Sequence, residues 1–211
     1  MESQMENLNQ NQMDALKEMG NIGAGNAITA LSQLLGKRIS MKVPVVKMVE
    51  FKHMAEFLGG PEQLIAGVLV QISGDINGIM MFLVKKECAR ELINTLMTEF
   101  SHDYAQRDEA ESFTELENSA LQEIGNILTS SYLGSLANLI NKRVIPSTPM
   151  LSMDMANAIL SVPAIEFGKD ADCALLIESL FDSDIYSVSG YFLLVPDDTS
   201  LNIILTCLGA K

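Results

Sequence analysis

Apolar and small residues recur at spacings of three and four from Leu16 through Met19, Ile22, Gly23, Ala27, Ala30 and Leu31 to Leu34, which predicts one long amphipathic helix over residues 8–35. From Arg38 to Val49 the β-branched content rises. Val43-Pro44-Val45-Val46 interrupts any helix there, so the segment is expected as a strand whose proline marks an edge or a bulge. Phe51 to Leu58 then reads as a short helix stopped by Gly59-Gly60-Pro61. Leu64 to Ile72 and Ile76 to Val84 read as a hairpin turning at Gly74-Asp75, and Lys85 to Met97 as a further helix.

The same order then recurs. Phe113 to Ile140 repeats the long helix, Lys142 to Leu151 the strand, and Asp154 to Leu160 the short helix, with Asp154 as its expected N-cap. Cys173 to Phe181 and Tyr186 to Val195 form a second expected hairpin, and Thr199 to Leu208 a last helix. An α+β fold follows: two pseudo-twofold-related repeats of long helix, strand, short helix, β-hairpin and helix share an antiparallel sheet flanked by helices, expected on one face. Residues 1–211 are expected to form a single domain made of repeats at 8–98 and 113–211. Residues 99–112, charged and poor in apolar side chains, would link them.

The repeat is visible residue by residue. Asp14-Ala-Leu-Lys-Glu18-Met-Gly-Asn21 matches Ser119-Ala-Leu-Gln-Glu123-Ile-Gly-Asn126, and each Asn is followed 23 residues later by a proline, Pro44 or Pro149. A repeat of this size means one structural unit used twice. Aligning Gly78-Ile-Met-Met-Phe-Leu with Gly190-Tyr-Phe-Leu-Leu-Val changes the separation from 105 to 112, an apparent gain of seven residues in the second half. With Leu16 at zero and about 100° per residue, the apolar stripe runs from about 240° through zero to about 60°. Asp14, Glu18, Asn21 and Gly25 fall at about 140° to 200°, so they are expected to point away from the core. The constant separation places Ser119, Glu123, Asn126 and Ser130 the same way on the second helix.

Asn is a poor residue in mid-helix because its side chain competes for backbone hydrogen bonds. Exposed Glu and Asn kept in two diverged copies therefore point to chemistry or binding. A carboxamide offers donors and an acceptor without titrating, so it can orient a water for in-line attack, while a carboxylate can anchor a lysine. Gly20, Gly23 and Gly25 each weaken the helix by about 1 kcal/mol relative to alanine. Close packing at the first two and a low surface beside Asn21 at the third would offset that, with Thr129, Ser130 and Ser131 keeping the second copy low.

Composition narrows the alternatives. A net charge of -13 and a pI near 4.5 disfavour nucleic acid, whose backbone calls for a basic stripe. Cys88, Cys173 and Cys207 are far apart in apolar surroundings, as in a reduced cytoplasmic protein, and the polar amino terminus and absence of a long apolar run predict no export and no membrane insertion. The glycines have the order G-x-x-G-x-G in mid-helix, which is not a nucleotide loop. His53 and His102 have no partners at metal-ligand spacing, so no metal site is expected.

The pattern of Asp or Ser, three residues, Glu, two residues, Asn, 22 residues and Pro resembles the signature of the CheC, CheX and FliY phosphatase family of bacterial chemotaxis, and the chain matches it twice. The resemblance runs from about Leu8 to the carboxyl end and is strongest to CheC-type members. It implies hydrolysis of the aspartyl phosphate on the response regulator CheY, with Asn21 and Asn126 positioning water and Glu18 and Glu123 contacting the regulator's lysine. Asp14, Ser119, Pro44 and Pro149 complete the two motifs. The protein would carry no cofactor of its own, the partner regulator supplying Mg2+. The resemblance also implies binding of the receptor deamidase CheD, for which Asp154 in Met153-Asp154-Met155-Ala156 is the candidate contact, and a chain that is monomeric alone. The competing reading is a non-catalytic adaptor that docks CheD or a flagellar-switch component.

Overall fold

The computed structural model describes residues 8–42, 44–100, 108, 111–167, 173–182 and 187–210. The first long helix, α1 (Gln10–Leu34), starts at Asn9, whose side chain accepts from the Gln12 N–H while the Gln12 side chain accepts from Asn9. It stops where Gly36 takes a left-handed φ of 60°. After it come β1 (Ser40–Met41), β2 (Val45–Glu50), α2 (Phe51–Phe57), β3 (Leu64–Gly74), β4 (Gly78–Lys85) and α3 (Lys86–Phe100). The second series is α4 (Glu115–Ile140), β5 (Val144–Pro146), β6 (Met150–Met155), α5 (Ala156–Phe167), β7 (Cys173–Asp182), β8 (Ser187–Pro196) and α6 (Asp198–Cys207). α4 opens with the same capping box from Thr114 and Glu117, and ends at left-handed Asn141, φ 50°, the counterpart of Gly36.

Each proline breaks its strand in two, since it cannot donate to a ladder: β1 and β2 flank Pro44, β5 and β6 flank Pro149. The expected linker lies mostly outside the described residues, and α3 extends into its start.

All eight strands join one antiparallel sheet, ordered β1-β7-β8-β4-β3-β5, with β2 also on β7 and β6 also on β3. The strand after each long helix therefore pairs with the hairpin of the other half. One row across the sheet displays the pseudo-twofold: Leu151, Val68, Phe82, Phe192, Ile177 and Val46 stand opposite one another in turn. Phe82 and Phe192 face each other at the axis, ring centroids 5.5 Å apart.

That row corrects the expected gain of seven residues. Val46 and Leu151 are 105 apart, Val68 and Ile177 are 109 apart, and Phe82 and Phe192 are 110 apart. Gly78 and Gly190 are thus not counterparts, and the surplus by the second hairpin is five. Four residues enter where α5 has 12 residues against 7 in α2, and the fifth in the β7–β8 turn.

Two further expectations change. Helices cover both faces of the sheet: Met80, Phe82 and Val84 of β4 join the core under α1, α3, α4 and α6, while Ile79, Met81 and Leu83 join a second core with Met54 of α2 and Ile159 of α5. A strand buried on both faces has no polar alternation from which to read a second layer. Asp154 is not an N-cap. It lies in β6 opposite Ile65, its Oδ1 accepts from the adjacent Met155 N–H, and α5 starts after it and continues through a buried Pro163.

Candidate functional site

The two long helices pack on each other and on the sheet, and glycine sets both distances. A Cβ on Gly20 would lie 2.7 Å from Val46, and one on Gly125 2.4 Å from Val68, so each helix rests directly on the central row. A Cβ on Gly23 would lie 2.5 Å from the Tyr132 ring, which brings α1 against α4. Asn26 Nδ2 donates to Ser135 Oγ at 2.8 Å across the same contact. Beside Gly25 nothing lies within 4 Å, which is the open surface expected there.

Glu18 and Glu123 are exposed, as the helix count predicts. Asn21 and Asn126 are only half-buried rather than fully outward. Each helix touches both the sheet and the other helix, which widens its buried arc to include Ile28 and Leu133, and the Asn side chains lie at the margin of that arc. Each half therefore presents an exposed carboxylate and, one turn on, a half-buried carboxamide.

The carboxamides differ in what holds them. Asn21 Oδ1 is shielded from solvent and accepts no hydrogen bond. Asn126 Oδ1 accepts from the Ser130 hydroxyl at 3.4 Å. Around the first pair, Asp14 accepts from Gln10 Nε2 at 3.0 Å and pairs with Lys17 Nζ at 3.2 Å, contacts that hold its carboxyl below the usual range, the Gln10 bond most. Around the second, Ser119 Oγ donates to the Glu115 carbonyl at 2.9 Å. Gln122 Nε2 donates to the Pro149 carbonyl at 2.9 Å, tying α4 to the lead into β6. Pro44 is buried and Pro149 half-buried.

The start of α4 carries one more anchor. Arg90 Nη1 donates to Glu117 Oε1 at 2.6 Å with both side chains 1% exposed, and Arg90 also reaches the Glu111 carbonyl and lies 4.0 Å from the Phe113 ring centroid. Glu117 is at the same time half of the capping box, accepting from Thr114 N–H at 2.7 Å. The helical pattern places Ser130 on the outward stripe but gives no sign of Arg90. Arg90 sits in an ordinary amphipathic helix, whereas Ser130 was legible as the counterpart of Gly25.

Among the described residues no group of three or more His, Cys, Asp or Glu could hold a metal ion, and no helix is long and apolar enough to cross a membrane. His53 stands beside Glu56 at 3.5 Å, and His102 lies outside the described residues. Exposed Asp154 lines a cleft between β6 and α5 with Leu69, Met150 and Val162, on an element that carries neither Glu/Asn pair.

A family model described as CheC-like matches residues 12–48 and 116–153, segments that contain both complete motifs and stop one residue before Asp154. CheY-P phosphatase CheC of Bacillus subtilis (strain 168) is 34% identical over 206 residues, 97% of each chain. The chain belongs to the CheC-like family. Putative CheY-P phosphatase CheC1 of Halobacterium salinarum is 27% identical over 66% of this chain and 67% of its own. Among solved structures, Thermotoga maritima FliY superposes with a TM-score of 0.74 over 97% of this chain and 99% of its own at 20% identity, a likeness of fold. The CheC-like motifs thus coincide with the two helix surfaces just described.

Proposed function

We propose that this protein is a phosphatase that hydrolyses the aspartyl phosphate of phosphorylated CheY through two centres, Glu18 with Asn21 and Glu123 with Asn126. The observation that carries the reading is the pairing, on both pseudo-twofold-related helices, of a solvent-reaching carboxylate with a half-buried carboxamide at the edge of the core. The 34% identity to a CheY-P phosphatase over nearly the whole chain supports the substrate.

The regulator brings the phosphoaspartate, its lysine and Mg2+. Glu18 or Glu123 pairs with that lysine and fixes the docking register, and Asn21 or Asn126 holds a water in line with the phosphorus. The water oxygen bonds to phosphorus, the bond from phosphorus to the aspartyl oxygen breaks, the aspartate stays on the regulator as a free carboxylate, and inorganic phosphate leaves with both of the water's protons. A carboxamide takes up no proton in this step, so its role is positioning. CheD binds in addition, through the exposed edge around Asp154. The two repeats share one sheet, which supports action as a single chain, and the cytoplasm is the proposed place of action.

Decay of phosphorylated CheY tests the reading with four proteins: wild type, Glu18→Gln plus Asn21→Ala, Glu123→Gln plus Asn126→Ala, and all four changes together. Full activity in the fourfold variant refutes the centres, and an unchanged regulator lifetime with wild type leaves an adaptor. Unchanged CheD affinity in Asp154→Lys removes that contact.

A further inference from the structure

Resting on the assignment of Asn21 and Asn126, we infer that Ser130 is a positioning residue for the second centre, which orients the Asn126 carboxamide, and that Gly25 leaves the first centre without that device. The two positions are counterparts, one turn after each Asn. Ser130 Oγ donates to Asn126 Oδ1 at 3.4 Å, whereas Asn21 Oδ1 is shielded from solvent and has no donor.

The hydroxyl of Ser130 is free for this task. In a helix, Ser and Thr commonly donate to the carbonyl four residues earlier, as Ser119, Thr129 and Ser135 do here. Ser130 instead bonds the side chain of the residue four before it. That bond restrains a terminal amide whose χ2 is otherwise broad. Its oxygen is turned toward Ser130. At the first centre the carboxamide oxygen has no donor, so the amide is less restrained and its productive orientation is occupied for a smaller share of the time. A carboxamide that must hold water within a few tenths of an ångström converts such a difference into rate.

The open space at Gly25 makes the exchange reciprocal. Nothing lies within 4 Å of a Cβ added there, and its φ lies outside the left-handed range that disfavours side chains, so serine fits without strain. A serine at that position would place a donor one turn from Asn21, in the relation Ser130 bears to Asn126.

The test measures phosphorylated CheY hydrolysis with one centre silenced at a time. In the Glu18→Gln plus Asn21→Ala background, Ser130→Ala is expected to lower kcat about three- to tenfold, the range of one hydrogen bond, with KM unchanged, and Ser130→Thr to restore it. In the Glu123→Gln plus Asn126→Ala background, Gly25→Ser is expected to raise kcat by a similar factor. Gly25→Ala, which stiffens the helix without a hydroxyl, is expected to leave kcat within about twofold. An unchanged kcat in Ser130→Ala, a change confined to KM, or an equal gain from Gly25→Ala and Gly25→Ser overturns the inference. So does a parent with the first centre silenced that has no activity. Full activity with all four Glu and Asn residues replaced refutes the catalytic assignment itself, a separate outcome.

Discussion

The two long helices descend from one pattern, yet they hold their candidate surfaces by different means. α1 begins with a capping box of exposed side chains and carries a charged Asp14 with Lys17, an open Gly25 and an Asn21 oxygen without a partner. α4 begins with a capping box locked to a buried arginine and carries neutral Ser119 and Gln122, with Ser130 on the Asn126 oxygen. Polar side chains thus fix α4 where small ones only make room along α1. Duplication preserved the chemistry to be presented, and divergence acted on how firmly each copy is held.

The comparison can be broken most decisively at the Glu and Asn residues. Replacing all four is expected to reduce phosphorylated CheY hydrolysis about a hundredfold, and each paired replacement to leave the other centre's share. Next comes the anchor of α4. Arg90→Ala leaves Glu117 buried without its cation, so urea unfolding should reveal a loss of about 3–5 kcal/mol, whereas Gln12→Ala at the corresponding cap of α1 should cost about 1 kcal/mol or less. Arg90→Met with Glu117→Gln should recover most of the loss, because no buried charge remains.

Smaller effects separate glycines that look alike in the sequence. Gly125→Ala pushes a methyl into the Val68 side chain and should destabilise by about 1–3 kcal/mol, while Gly25→Ala should stabilise by about 0.5–1 kcal/mol in the same thermal or urea measurement. Tyr132 is fully buried, its hydroxyl has no hydrogen-bond partner, and burial raises its pKa. Tyr132→Phe should therefore leave stability equal or slightly higher, and a loss above about 1 kcal/mol would reveal a partner for that hydroxyl.

The smallest effect is electrostatic. The folded carboxyl of Asp14 is held below its unfolded value, so its contribution is present above that value and disappears as the pH falls through the folded one. Stability of wild type should thus fall slightly more than that of Asp14→Asn between about pH 5 and pH 2, while Ser119→Ala should show no such acid-side difference.

Much of this is legible in the sequence. The 3.6-residue periodicity located both long helices to within two residues of their ends, and the recurrence of Glu-x-x-Asn located both candidate centres. The expectations that failed have a common cause. The short helix after Asp154 was placed by an N-cap residue type, but the pairing of Asp154 with Ile65 in β3 extends the strand through it. The hairpins were aligned on glycines, but pairing follows the row through Phe82 and Phe192. A single helical face was expected because apolar strands buried on both sides carry no alternating signal.

The sequence by itself determined the periodic helices, the two copies and the residue types that each offers to a partner, because these depend on neighbours three, four or 105 positions away in a readable order. Tertiary structure alone decided that β2 and β6 exchange hairpins, that helices cover both faces, and that Asn21 and Asn126 sit at the margin of burial. Those outcomes depend on which surfaces meet, and a residue's burial is set by the element packed beside it, which local pattern does not encode.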